Sequence, residues 1–377
     1  MGMLQKRIVH YALLALTLAG IPLACCILGG KTETLELVGE IAPVTEDWGT
    51  MPDRLWNCRR PFSWWGFLGL VVLVSVCVRP FIRRLVRNVR AGVRSSCRRH
   101  PFPAWGWGGC AMMAVGWWLS WTRFEWFAPC QRYPFIPLWL GFIVLMNALC
   151  VRRSGRSLLT DHPRLYLLTF PVSSAFWWFF EYLNRYVWNW YYVGVPGIGA
   201  VEYVVFATLC FSTVLPAVTA IAAWLGTFGH FSETAYADMG RVNLRGPVSC
   251  ATMSALAATG LVGIVFAPQY AFPLLWISPL MVFVLVQILL REPCVLDDLA
   301  VGNWSLVFRF AVAALLCGIA WETWNYYSLA KWIYAVPYVH RFQIWEMPII
   351  GFCGYLPFGM ECAAVAAWLS PVLVRHV

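Results

Sequence analysis

The residues of this chain that could do chemistry are a handful of acids set into or beside long apolar runs. Glu181 and Glu322 each lie toward the end of such a run, and each has an asparagine three residues on, Asn184 and Asn325. At that spacing the two side chains share a helix face, so each Glu/Asn pair can bond one partner or hold one substrate group together. An ionised carboxylate at membrane depth is costly and usually faces a cavity or a partner, which makes it a candidate for function. The competing reading is that the pairs only bond neighbouring helices or wet headgroups.

Aromatic clusters follow both pairs, Trp188-Asn189-Trp190-Tyr191-Tyr192 after the first and Tyr326-Tyr327 with Trp332 and Tyr334 after the second. Trp190, Tyr192, Trp332 and Tyr334 are candidates for substrate contact, since their faces attract cations and pack on apolar chains. The chain then re-enters the apolar phase with Glu202 in one place and Glu346 in the other, so four carboxylates are expected to converge near aromatic rings. Glu361 lies about fourteen residues into the last run, deeper than the others. It is either a second functional acid or a group serving a kink near Pro357.

These groups need a membrane fold to position them. With 60% hydrophobic and 12% charged residues and a mean hydropathy of +0.65, the chain departs from soluble domains, which carry about a quarter charged residues. Apolar runs near 9–29, 63–80, 106–122, 134–151, 165–187, 200–226, 247–266, 270–290, 303–328 and 347–370 are each long enough for a hydrocarbon core of about 30 Å. The expected fold is therefore all-α, a polytopic protein of about ten transmembrane helices. The first run is read as a retained anchor in preference to a cleaved signal peptide, because no clean cleavage site follows it.

A net charge of +10 comes from Lys and Arg in short loops between apolar runs, where they orient a membrane protein, so nucleic acid is not an expected partner. The bias puts both termini in the cytoplasm of a cell whose inner membrane holds the chain. Arg83, Arg87, Arg90 and Arg94 repeat at helical spacing opposite Ile82, Val86, Val89 and Val93, which predicts a helix lying on the anionic inner leaflet. The 14 Cys show no metal-ligand spacing, and neither a metal nor another cofactor is expected. Cys58 and Cys130 are the two that fall in outer loops, so a disulfide between them is expected if that face is oxidising.

The chain also repeats itself. FAPCQRYPFIPLWLGFIVLMNALCVRRSG from Phe127 matches FAPQYAFPLLWISPLMVFVLVQILLREP from Phe266, and FWWFFEYLNRYVWNWYYVGVP matches GIAWETWNYYSLAKWIYAVP, aligning Glu181 with Glu322, Asn184 with Asn325, Trp190 with Trp332, Tyr192 with Tyr334 and Pro196 with Pro337. One unit spans about 140 residues and four runs, so the two copies share one orientation. The organisation expected is an N-terminal two-span region, 1–105, a first four-helix repeat, 106–246, and a second, 247–377.

The order of these elements resembles the small membrane-embedded lycopene cyclases of the heterodimeric or fused type, over HPRLYLLTFPVSSAFWWFFEYLN to VEYVVF and FRFAVAALLCGIAWETWN to WEMPIIGF, about a third of the chain. This chain has one acid, Glu202 or Glu346, where that family has an adjacent pair, and four spans per unit where it has three. The resemblance implies that Glu181, Glu202, Glu322 and Glu346 protonate an isoprenoid double bond and remove a proton after ring closure, with no redox cofactor. A carboxyl in apolar surroundings can give a proton and its conjugate base take one back. Three classes stay open: a membrane enzyme acting on a polyisoprenoid or other lipid, a transporter or channel for a cation or amine, and a non-catalytic subunit or scaffold. The first predicts a closed lipid-facing pocket holding the acids, the second a polar path onward through Glu361, and the third acids bonded to neighbours without a cavity.

Overall fold

The computed structural model describes residues 3–31, 60–93, 99–194 and 197–375. The longer helices are α1 (Met3–Leu18), α2 (Gly20–Leu28), α3 (Trp64–Arg90), α4 (Ala104–Trp121), α5 (Phe135–Ser154), α6 (Pro163–Val187), α7 (Ala200–Phe211), α8 (Val214–Gly226), α9 (Pro247–Phe266), α10 (Ser278–Leu289), α11 (Ser305–Tyr326) and α12 (Tyr355–Leu369). Among the described residues, six helical stretches are long and apolar enough to cross a membrane, α7 and α8 counting as one. A seventh is formed if Pro268–Trp276 and α10, bent by 52°, make one broken span. The protein is thus a mostly helical, multi-pass membrane protein. The remaining expected runs are also helical: α1 with α2, α4 and α6.

Two departures from all-α are short antiparallel ribbons: β1 (Trp190–Val193) with β2 (Lys331–Tyr334), and β3 (Gln343–Ile344) with β4 (Met347–Pro348). Four β-compatible residues around each Trp-x-Tyr element were too few for the sequence to declare a strand, and the partner lies about 140 residues away.

α8 is the central helix, with every residue but Trp224 buried. Small side chains, Ala217, Ala220, Ala222 and Ala223, let α5, α6, α11 and α12 approach it closely, the usual device where lipid supplies no hydrophobic drive between helices. The break between α7 and α8 would expose backbone groups, and α6 covers them. Ser173 Oγ donates to the Phe211 carbonyl at 2.6 Å and accepts from the Leu215 amide at 2.9 Å, and Ser174 Oγ donates to the Thr208 carbonyl at 2.8 Å. Such hydroxyls re-satisfy backbone that no water reaches.

Packing across the structure is reciprocal. Trp139 of α5 sits 5.1 Å from Trp321, the residue before Glu322, while Trp276 sits 5.2 Å from Phe180, the residue before Glu181. Glycines set the α4–α5 contact, since a Cβ on Gly141 would meet the backbone of Met113 and Gly109. At another corner, His10 of α1 is buried against Phe283 and Trp368, its Nδ1 2.9 Å from Glu292 Oε2.

The basic stretch expected to lie on the leaflet is instead the continuation of α3, one 27-residue helix running through Pro80. Proline removes one backbone bond without ending this helix, and the last turns are tied down by Arg84 Nε and Asn88 Nδ2, both donating to the Ala235 carbonyl at 3.0 Å. At 1.5 Å per residue α3 is about 40 Å long, more than the hydrocarbon core, and Arg83, Arg87 and Arg90 fall in its last turns. Arg94 and Cys58 lie outside the described residues, so the Cys58–Cys130 pairing does too; Cys130 itself is exposed.

Ser173→Ala leaves the Phe211 carbonyl and Leu215 amide without their side-chain partner in a buried site. The variant should lose about 1–3 kcal/mol of stability, read as a lowered unfolding midpoint of the solubilised protein, with Ser173→Thr retaining most of it.

Candidate functional site

Glu181 stands near the end of α6 and Glu322 near the end of α11, 3% and 0% exposed. The chain must turn back at both helix ends, and the asparagine one turn on organises each return. Asn184 Nδ2 donates to the Trp190 carbonyl at 2.7 Å and its Oδ1 accepts from the Asn189 amide at 2.9 Å. Asn325 Nδ2 donates to the Trp332 carbonyl at 2.7 Å and its Oδ1 accepts from the Trp332 amide at 2.9 Å. Trp188 closes α6 with φ 53°, a left-handed conformation that Trp seldom adopts, and donates its amide to the Asn184 carbonyl at 2.7 Å.

The two returning segments pair as β1 and β2 with Trp190 opposite Tyr334 and Tyr192 opposite Trp332. Alternation puts these four rings on one face of the ribbon, and their polar edges reach the two acids. Glu181 Oε1 accepts from Tyr192 Oη at 2.6 Å, Trp190 Nε1 at 2.9 Å and Trp177 Nε1 at 3.1 Å. Glu322 Oε1 accepts from Tyr334 Oη at 2.6 Å, Tyr355 Oη at 2.9 Å and Trp332 Nε1 at 3.4 Å. Each Glu/Asn pair therefore shares one tryptophan, the asparagine bonding its backbone and the glutamate its indole.

The clusters differ in their third donor and in charge. Trp177 precedes Glu181 by one turn, whereas Tyr355 comes from α12. Arg185, one turn beyond Glu181, is buried and acts on its charge, while the matching position after Glu322 is Tyr326. Glu322 Oε2 is buried without a hydrogen-bond partner.

The four acids do not form one cluster. Glu202, with 43% of its side chain exposed, accepts from Tyr133 Oη at 2.5 Å and meets Arg132 at 3.4 Å. Its carboxylate holds the Tyr133 phenol above its ordinary range. Glu346 pairs with Lys331 Nζ at 2.5 Å and is close enough to Glu322 to act on it electrostatically. Arg132 lies in a turn and Lys331 opens β2, positions that the spacing of apolar runs does not reveal. Glu361 is 3% exposed, with neither carboxyl oxygen hydrogen-bonded; the Leu280 amide near the start of α10 acts on it. It is not part of the cavity wall described next.

Beneath the ribbon lies a cavity of about 470 Å³. Trp177, Trp190, Tyr192, Trp332, Tyr334 and Tyr355 line it, while Glu181 and Glu322, to which they donate, do not. Its other walls are α7, the segment from Phe272 to Ile277, the approach to α12, and a stripe on α3 made of Leu70, Leu73, Val74, Cys77 and Val78. None of the most apolar stretch of α3 is buried. The helix is held at its ends, by the Ser63 amide donating to the Tyr338 carbonyl at 2.8 Å and by the Ala235 contacts. Between these ties its inner stripe forms one wall of the cavity.

The arrangement suits a long apolar ligand against electron-rich rings, with two acids one hydrogen bond behind the surface. A proton exchanged with such a ligand would pass through the hydroxyls of Tyr192, Tyr334 or Tyr355. Among the described residues no three His, Cys, Asp or Glu side chains could hold a metal ion together. Spacing could have flagged Trp177, four residues before Glu181; nothing local marks Tyr355, Tyr203 or the α3 stripe. The chain matches no protein-family model, no curated protein and no solved structure.

Asn325→Ala removes both side-chain bonds to the Trp332 backbone. A loss of about 1–3 kcal/mol is expected, together with a red shift of tryptophan emission as the indole leaves Glu322; an unshifted spectrum would refute this account of the asparagine.

Proposed function

We propose that the chain is a membrane-embedded enzyme that takes a polyisoprenoid or other lipid chain into the cavity and acts on it by acid–base chemistry, in the manner of the lycopene cyclases it resembles. One observation carries the reading: two buried carboxylates each stand a single hydrogen bond behind a cavity wall that is otherwise almost entirely carbon. In this proposal Glu181 and Glu322 hold the protons, Tyr192, Tyr334 and Tyr355 face the substrate, and Trp190 and Trp332 supply π-faces to developing positive charge. Asn184 and Asn325 position the rings. Glu202 and Glu346 are assigned to the rim, where they hold loops, and Glu361 has no part in the reaction.

A cation transporter is less well supported, because Glu361 stands off the wall and the wall's polar groups gather at the ribbon. A scaffold accounts for the bonded acids but not for the cavity. The architecture proposed with this function is about ten spans, with two parallel four-helix repeats at 106–246 and 247–377 after residues 1–105. The reciprocal Trp139 and Trp276 contacts and the symmetric ribbon register support it. By the distribution of Lys and Arg, both termini face the cytoplasm, and the basic end of α3 meets anionic lipids of the inner membrane.

The test is expression in a bacterium that accumulates lycopene and other linear isoprenoids, with mass spectrometry of the lipid extracts. Wild type should yield a new isomeric product. Glu181→Gln and Glu322→Gln keep an acceptor for the Trp and Tyr donors, and each should lower the product about 100-fold or more, in line with the usual worth of general acid–base catalysis. Extracts unchanged by the wild-type protein would count against the cyclase chemistry.

A further inference from the structure

Four tyrosines line the cavity, and the hydroxyls of three of them, Tyr192, Tyr334 and Tyr355, donate to a buried carboxylate. The fourth, on Tyr203 in the first turn of α7, is buried and has no hydrogen-bond partner; the side-chain oxygen of Asn189, just before β1, is in the same position. Both residues line the cavity, at 5% and 4% exposure. Lys331, the wall's cation, is engaged with Glu346.

A buried amide oxygen or hydroxyl left unpaired destabilises the fold, so an unpaired one in a native structure calls for a partner. We infer that Asn189 and Tyr203 are the polar contacts of the ligand, and that the ligand is a long-chain lipid alcohol, its hydroxyl at the ribbon end of the cavity and its chain running along the α3 stripe. This inference rests on the reading of the cavity as a lipid site. A hydroxyl can donate to Asn189 Oδ1 and can accept from Tyr203 Oη. A ketone or ether oxygen serves only Tyr203, and a hydrocarbon serves neither.

The test uses the full-length protein in detergent, with geranylgeraniol and the hydrocarbon of the same carbon skeleton as probes and tryptophan fluorescence as the readout. The alcohol should bind about ten-fold more tightly, the worth of one buried hydrogen bond. Asn189→Leu and Tyr203→Phe should each reduce that preference, and the double variant should abolish it without changing hydrocarbon affinity. Tyr203→Phe deletes one unpaired oxygen, so its unfolding midpoint should stay level or rise while selectivity falls; should Asn189→Leu fail to fold, this variant carries the test. Equal binding of both probes, or a preference that survives Tyr203→Phe and the double variant, overturns the inference and leaves the lipid site standing. Failure of both probes to bind overturns the lipid site and the inference with it.

Discussion

Everything around the site depends on how two buried carboxylates are kept satisfied. Each is held by three aromatic donors, and two of the three at each acid come from the same ribbon strand. A four-residue strand pair is too short to persist unaided. It persists here because indole and phenol edges reach down to the acids while Asn184 and Asn325 fix the backbone from the helix side. Removing the acids would leave those edges unpaired; removing the ribbon would leave the carboxylates in an apolar interior without donors. The two halves of the arrangement hold each other in place, and the cavity is the space they enclose with the helices.

Much of this was legible in the residues. Apolar runs located the helices because lipid demands continuous apolar length, and the i to i+3 spacing of Glu181 with Asn184 and of Glu322 with Asn325 marked a shared face. The matching Trp-x-Tyr elements pointed to common use. What stayed hidden depends on non-local geometry. The register that sets Trp190 across from Tyr334 joins segments with no local signal for pairing, and Tyr355 reaches Glu322 from a different helix. Glu202 and Glu346 looked equivalent to the deeper acids because depth was counted along the chain, whereas Arg132 and Lys331 decide where those side chains settle. α3 passes through Pro80 for a related reason: one lost backbone bond seldom outweighs the tertiary ties beyond it.

Near-symmetry in the residues does not produce two equal clusters. Glu181 has Arg185 one turn away, and its third donor lies on its own helix; Glu322 has neither, and its third donor is borrowed from α12. An arrangement of this kind can keep one half as a framework while the other changes. Trp139 packs on the residue before Glu322 and Trp276 on the residue before Glu181, which ties the surroundings of the two acids to one another.

The lightly anchored α3 has a consequence for how any occupant is chosen. A soluble pocket selects apolar molecules by rescuing them from water, but a cavity walled on one side by an exposed apolar helix of a membrane protein exchanges its occupant with a solvent as oily as its own walls, so transfer into it releases no hydration. Bulk lipid chains are present there in overwhelming excess and compete for the same volume. Selection is left to whatever hydrocarbon cannot offer: a shape that fits between flat rings, or an atom that can form a hydrogen bond. A cavity placed in this way is a filter for form and functional group and is nearly indifferent to oiliness.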